Sequence, residues 1–220
     1  MNLKERIRSG APFHIGALAV DLPLDQMEKK CVGKGWDLAF VDLQHSPYTE
    51  PQLAEFCKRA TALEVPLMLR AHHPSAAWQI SRLLDFGAAG VLVPMVETPE
   101  TVAEAVAAFY YPPLGKRSCG LRFAYGWSAN QTPRAYADWW NANGILAVQI
   151  ETVQAVLDVR RLVQPGVDLL LFGAVDLGFS LQASPGCPFK SVEECRQHVV
   201  NETRGLGVRV GLGDGPFGRF

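Results

Sequence analysis

Short apolar, β-branched runs alternate along the chain with longer segments of helical period. The strand-like runs are HIGALAV (14–20), LAFVDLQ (38–44), VPLMLRA (65–71), GVLVPMV (90–96), ILAVQIE (145–151), DLLLFGAV (168–175) and VRVGLGD (208–214). Between them stand LDQMEKKCVGKG (24–35), EPQLAEFCKRATAL (50–63), AAWQISRLLDFGA (76–88), TVAEAVAAFY (101–110), TVQAVLDVRRLV (152–163) and VEECRQHVVNETRGLG (192–207). Strands apolar on both faces, each followed by a helix, predict a parallel sheet built from βαβ units. Gly35, Gly87 and Gly207 stand where a left-handed cap would close a helix before the next strand. No linker, low-complexity tract or shift of composition divides residues 1–220, so one domain is expected.

Two folds share that rhythm, a (β/α)8 barrel and an open doubly wound sheet. No GxGxxG follows the first strand, which weighs against a dinucleotide-binding sheet. Polar residues collect at the carboxyl ends of the runs: Gln44 and His45 on the second, Arg70 on the third, Gln149 and Glu151 on the fifth, Asp176 on the sixth and Asp214 on the seventh. In a barrel all those ends ring one pocket, whereas an open sheet gathers its chemistry at one switch point. The expected fold is therefore a (β/α)8 TIM barrel. Only Gly215 and PFGRF follow the seventh run, so the eighth β/α unit is expected to be missing from the chain.

Charge narrows the partner. Lys and Arg total 21 against 22 Asp and Glu, a net charge of -1. That balance argues against nucleic acid or an anionic membrane and leaves a small molecule. The five cysteines (Cys31, Cys57, Cys119, Cys187, Cys195) form no CxxC pair and read as reduced thiols of a cytosolic protein. MNLKERIRSG lacks the apolar core of a signal peptide, and no run approaches the roughly 18 apolar residues of a membrane helix. A soluble, cytoplasmic chain is expected.

The candidate chemistry lies at the strand ends. Gln149 and Glu151 are two residues apart on one strand and share a face, and Asp176 arrives one βα unit later. Two carboxylates on adjacent strands make a minimal site for a hard cation such as Mg²⁺, with substrate oxygens completing it. The alternative is that Glu151 caps the following helix and Asp176 is a turn acid. Arg70 ends an otherwise uncharged strand, either paired with a buried acid or holding a substrate oxygen. His45 can move protons near neutral pH, or can simply bond a loop carbonyl. Asp85 ends a helix, where the dipole disfavours an anion, so it calls for a partner, and a histidine is a plausible one. Asp42 reads as structural. Adjacent His72 and His73 point apart and make a poor metal pair, Lys116 and Arg117 read as solvated loop cations, and Trp78, Trp139 and Trp140 as helix packing. The seven lysines (4, 29, 30, 34, 58, 116, 190) fall in helices or loops, which leaves a Schiff-base mechanism without a nucleophile.

Six motifs in order, DLQHSP, LMLRA, LLDFGAAGVLVPMV, YYPPLGKRS, VQIET and FGAVDL, give the chain a resemblance to the HpcH/HpaI-type class II pyruvate aldolases. The resemblance runs from the first strand to the seventh. It implies that Glu151 and Asp176 hold a divalent cation (Mg²⁺, Mn²⁺ or Co²⁺) and that Arg70 stabilises the enolate oxygen of pyruvate. It implies that His45, paired with Asp85, acts as the base by way of a water, and that Gln149 lines the pyruvate site with Gly173, Ala174 and Val175 beside the substrate carboxylate. It also implies a homohexamer, a trimer of dimers that exchange their last helix. Three departures from the family pattern, at four positions, stand out. Leu43 and Gln44 stand where GEH is usual, Val175 lies within a GPAD-like element, and Leu18 replaces an aromatic. These bear on the aldehyde pocket more than on the chemistry.

The function expected from the resemblance is metal-dependent, reversible cleavage of a 4-hydroxy-2-oxo acid into pyruvate and an aldehyde. The alternatives are a related barrel lyase acting on acyl-CoA thioesters, a decarboxylase of oxaloacetate-like acids, and a catalytically degenerate ligand-binding barrel. The thioester route asks for a basic loop, which only Lys116, Arg117 and Arg122 offer.

Overall fold

The computed structural model describes residues 1–31 and 35–211 and the backbone of Gly218 and Arg219. Each apolar run contains a strand, shorter than its run: β1 (His14–Ala17), β2 (Leu38–Asp42), β3 (Leu67–Arg70), β4 (Gly90–Val93), β5 (Ile145–Ile150), β6 (Leu169–Phe172) and β7 (Arg209–Val210). All seven are parallel and neighbour one another in sequence order, β7 to β1. That order is the topology of a βα barrel. The described residues depart from it at the far edge, where a two-residue β8 (Gly218–Arg219) pairs antiparallel with His14 and Ile15. Asp214 and most of the GLGDGPFG run lie outside the described residues.

Eight of the helices lie after the strands as the pattern requires: α2 (Leu24–Cys31), α3 (Glu50–Ala62), α4 (Ile80–Asp85, led by a 3₁₀ turn over Pro74–Gln79), α5 (Pro99–Phe109), α7 (Val153–Leu157), α8 (Val159–Leu162), α9 (Ala174–Gln182) and α10 (Val192–Thr203). Before β1 comes α1 (Leu3–Ser9), and α6 (Pro133–Asn143) leads into β5. Threonine begins several of them for one reason: its side chain accepts an otherwise orphaned N–H of the first turn. Thr98 and Thr132 do so with proline as the next residue, where the missing N–H costs nothing. Gly35, Gly87 and Gly207 do occupy the left-handed region. Among the described residues no helix is long and apolar enough to cross a membrane.

Side chains alternate across the strands and build two apolar layers. Ala39, Val41, Leu69, Val91, Val93, Leu146, Val148, Ile150, Leu170 and Phe172 pack outward against the helices. Ile15, Leu38, Phe40, Met68, Leu92, Ile145, Ala147, Leu169 and Leu171 form a separate cluster on the inner face, closed by Ile7 and Phe13. The sheet is curled around that cluster. Arg6 of α1 pairs with Asp37, next to β2, while Lys4 and Arg8 of the same helix pair with Asp168, next to β6. In a flat sheet strands four places apart stand about 19 Å from each other, and α1, seven residues long, spans about 10 Å.

Asp168 is the anchor at this amino-terminal end. It is fully buried, and it receives Lys4 Nζ at 3.2 Å, Arg8 Nη2 at 2.6 Å, the Tyr110 hydroxyl at 3.3 Å and the Leu146 amide at 3.0 Å. Burial pulls the Lys4 ammonium below its ordinary range, against the attraction of Asp168. Asp168→Ala would leave that buried cation unpaired, at a cost of about 3–5 kcal/mol. A chemical denaturation curve should show it as a lowered midpoint, and an unshifted midpoint would demote the anchor to a bystander.

Candidate active site

The same alternation that builds the inner core carries polar groups above it. Phe40 is followed on the inner face by Asp42, Met68 by Arg70, Ala147 by Gln149 and then Glu151, and Leu171 by Gly173. Asp42 and Arg70 are direct register partners on neighbouring strands. The carboxyl ends of β2, β3, β5 and β6 thus lay one polar layer over one apolar layer.

Arg70 is only 8% exposed, and Asp42 holds it by two prongs, Nε to Oδ1 at 2.8 Å and Nη2 to Oδ2 at 2.5 Å. Its remaining nitrogen, Nη1, donates to Gln149 Oε1 at 3.4 Å. Asp42 does a second job: Oδ1 also accepts the backbone N–H groups of Gln44, at 2.9 Å, and His45, at 3.4 Å. Burial works against the Asp42 charge, but the guanidinium and these two amides outweigh it and hold the carboxyl below the usual carboxylate range. Asp42 therefore sets both the arginine fork and the course of the loop that carries His45.

Glu151 is 1% exposed. It does not cap the helix that follows, because Thr152 accepts the Ala155 N–H there. Instead Oε1 accepts the Met95 N–H at 2.6 Å from the loop after β4. A Cβ on Gly173 would collide with Glu151 Oε2 and with Gln149 Nε2, so glycine is what lets both side chains converge. Asp176 lies in the exposed first turn of α9, not at the end of a strand, since the helix begins at Ala174. Burial pushes the Glu151 carboxyl up, opposed by the Met95 amide, and the Asp176 charge pushes it further, opposed by Arg70. The two acids feel each other as like charges. Among the described residues no group of three or more His, Cys, Asp or Glu side chains stands together.

The remaining candidates separate. His45 is exposed on the β2–α3 loop, and its ring makes no hydrogen bond among the described residues. Asp85 is not beside it. Strand β3 ends at Arg70, α4 runs back, and Asp85 closes that helix five residues before β4 begins, at the amino-terminal end of the sheet. There Asp85 Oδ1 receives Arg117 Nη2 at 3.1 Å. The partner that the helix end called for is thus an arginine in this chain, and a direct His45–Asp85 pair within one chain is not formed. Burial pushes the Asp85 carboxyl up against the pull of Arg117. Arg117, expected to be solvated, is 3% exposed and lies 4.8 Å from the Tyr111 ring and 4.5 Å from the Trp140 ring.

Two contributors escaped the sequence reading. Asp42 reads as structural from sequence, although an acid three residues from His45 and in register with Arg70 is a usable signal once β2 and β3 are paired. Met95 gave no signal, because it contributes a backbone amide. A cavity of about 570 Å³ between α3 and the loop at Arg122–Trp127 is lined by none of the site residues. Charge and burial mark the site better than hollow volume does.

A curled parallel sheet with acids, an amide and a held arginine at its carboxyl ends has the placement of functional groups found in α/β-barrel enzymes. The family model of the HpcH/HpaI aldolase/citrate lyase family matches residues 20–211, and the chain belongs to that family. It is 33% identical over 215 residues to a 4-hydroxy-2-oxovalerate aldolase of Novosphingobium aromaticivorans, covering 94% of this chain and 79% of that one. It is 27% identical over 217 residues to a hydroxypyruvate/pyruvate aldolase of Paraburkholderia phytofirmans, covering 96% and 82%. Among solved structures, an HpcH/HpaI aldolase from Desulfitobacterium hafniense superposes with a TM-score of 0.81 at 28% identity, covering 96% of this chain and 81% of that one.

Proposed function

We propose that the protein reversibly cleaves a 4-hydroxy-2-oxo acid into pyruvate and an aldehyde, with a divalent cation bound at the carboxyl ends of a TIM-barrel fold. One observation carries the reading. Arg70, the cation of the polar layer, is already matched by Asp42, while Glu151 feels Asp176 as a like charge and neither acid makes an ion pair among the described residues. That surplus of two negative charges, on hard oxygen donors, fits a divalent ion such as Mg²⁺, Mn²⁺ or Co²⁺. When bound there by Glu151 and Asp176, such an ion supplies Lewis-acid polarisation of the substrate's 2-oxo group.

The chain's own residues do the rest. Arg70, with two prongs fixed on Asp42, turns Nη1 toward Gln149 and the substrate side, where it donates to the oxygen that gains charge as the C3–C4 bond breaks. Ala174 and Val175 offer backbone N–H groups at the start of α9 to the substrate carboxylate, beside Gly173, whose own N–H is held by the Ile150 carbonyl at 3.1 Å. His45, on its exposed loop, takes the proton of the C4 hydroxyl by way of a water. In the hexamer proposed for the chain, a trimer of dimers, Asp85 meets His45 only from a neighbouring subunit. The thioester alternative loses Arg117 to Asp85, which leaves Lys116 and Arg122 as its basic groups.

The deciding experiment is pyruvate release from a panel of 4-hydroxy-2-oxo acids, with and without a chelator. Release that the chelator stops and an added divalent ion restores supports the reading, and chelator-insensitive release removes the metal from it. Arg70→Lys tests the fork separately. A lysine keeps the charge but not the planar pair of bonds to Asp42, so kcat should fall ~100-fold or more, the usual cost of losing a donor to a developing oxyanion. A wild-type kcat in that variant would return Arg70 to a purely structural role.

A further inference from the structure

We infer that Met95 is a positioning residue whose backbone conformation fixes how Glu151 presents its carboxylate to the cation; the inference rests on the metal-site reading above. Met95 has φ +46, and the other non-glycine residue with positive φ among those described, Glu64, belongs to the turn after α3. A left-handed residue with a side chain is disfavoured and persists only where its surroundings demand it. Packing of the side chain does not demand it, since Met95 is 41% exposed. The backbone does. Pro94 has no N–H to offer, so the Met95 N–H is the one that reaches Glu151 Oε1, at 2.6 Å, and the left-handed turn at Met95 lets the chain leave toward α5 with that N–H still inward.

Glu151 is thereby divided. Oε1 is tied to the Met95 amide, its one hydrogen bond among the described residues. Oε2 occupies the notch that the absent Cβ of Gly173 leaves open, at the root of the helix that carries Asp176. The carboxylate cannot turn about its last bond without giving up either the amide or the notch. Oε2 is the oxygen presented as a ligand, and Met95 selects it.

The test is Mn²⁺ binding, read by the electron paramagnetic resonance signal of the free ion, on the full chain and three variants. Met95→Gly keeps the N–H and adopts φ +46 without penalty, so its Mn²⁺ affinity should match the wild type. Met95→Ile places a β-branched residue where the left-handed region is least tolerated, and the peptide should relax away from Glu151. Its dissociation constant should rise about 10–100-fold, the usual cost of removing a partner that orients a ligand. Met95→Val, β-branched but smaller than methionine, reads the same dependence if the isoleucine chain does not fold. Wild-type affinity in both the isoleucine and valine chains overturns the inference, as does an equal loss in the glycine chain, which would assign the effect to the methionine side chain. A wild-type chain that takes up no Mn²⁺ overturns the metal-site reading itself, a result distinct from either of these.

Discussion

Glu151→Ala should reduce both cation binding and aldol cleavage to background. Glu151 and Asp176 are the two carboxylates proposed to hold the ion, Asp42 being committed to Arg70, and a single acid on an exposed helix turn is a poor divalent ligand. The loss should exceed the ~10–100-fold typical of changes one step removed from a ligand. Asp176→Ala should have the same effect on activity with less effect on folding, because Asp176 is exposed whereas Glu151 is buried and its removal orphans the Met95 amide. Titration of Mn²⁺ and pyruvate release in chelator-treated buffer would read both variants. Full activity of either in that buffer would sink the assignment of these acids to a cation.

The parts of this architecture legible in the sequence are those set by burial. Strand centres such as LAFV and ILAV are apolar on both faces because helices cover one side and the inner cluster fills the other, and that pattern survives without any tertiary information. Strand ends are not so legible. The run DLLLFGAV reads as one strand to residue 175, yet the chain breaks at Gly173 and Ala174 opens α9, since an apolar run has no period that separates strand from helix. The short, charged α1 is illegible for the opposite reason, since it buries only Lys4 and Ile7, while α6 hides its buried face, Tyr136, Ala137 and Trp140, behind residues that read as loop and packing aromatics.

The site divides in the same way. Arg70, Gln149 and Glu151 announce themselves as polar residues closing apolar strands. Asp85 announces only that it needs a partner. Its position at a helix end does not say which end of the sheet that helix reaches, and the answer, Arg117, came from a loop read as solvated. Met95 is illegible in principle, because what it gives the site is an amide that every residue but proline possesses.

His45→Ala separates proton transfer from the rest of the chemistry. The ring is exposed and makes no hydrogen bond among the described residues, so its removal leaves nothing buried without a partner, and the backbone N–H that Asp42 holds is still present in alanine. The fold, the Asp42–Arg70 fork and the Glu151–Met95 bond should all persist, and Mn²⁺ affinity should stay at the wild-type value. Retro-aldol cleavage should nevertheless fall by roughly 10²–10⁴-fold, the usual contribution of a general base. Oxaloacetate decarboxylation makes the same enolate without removing a hydroxyl proton, so it draws on Arg70 and the carboxylates but not on His45, and should fall much less. The ratio of the two rates in one preparation is the measurement, since it cancels differences in active fraction. If both reactions fell equally, His45 would be holding the loop in place and the proton would leave by another route.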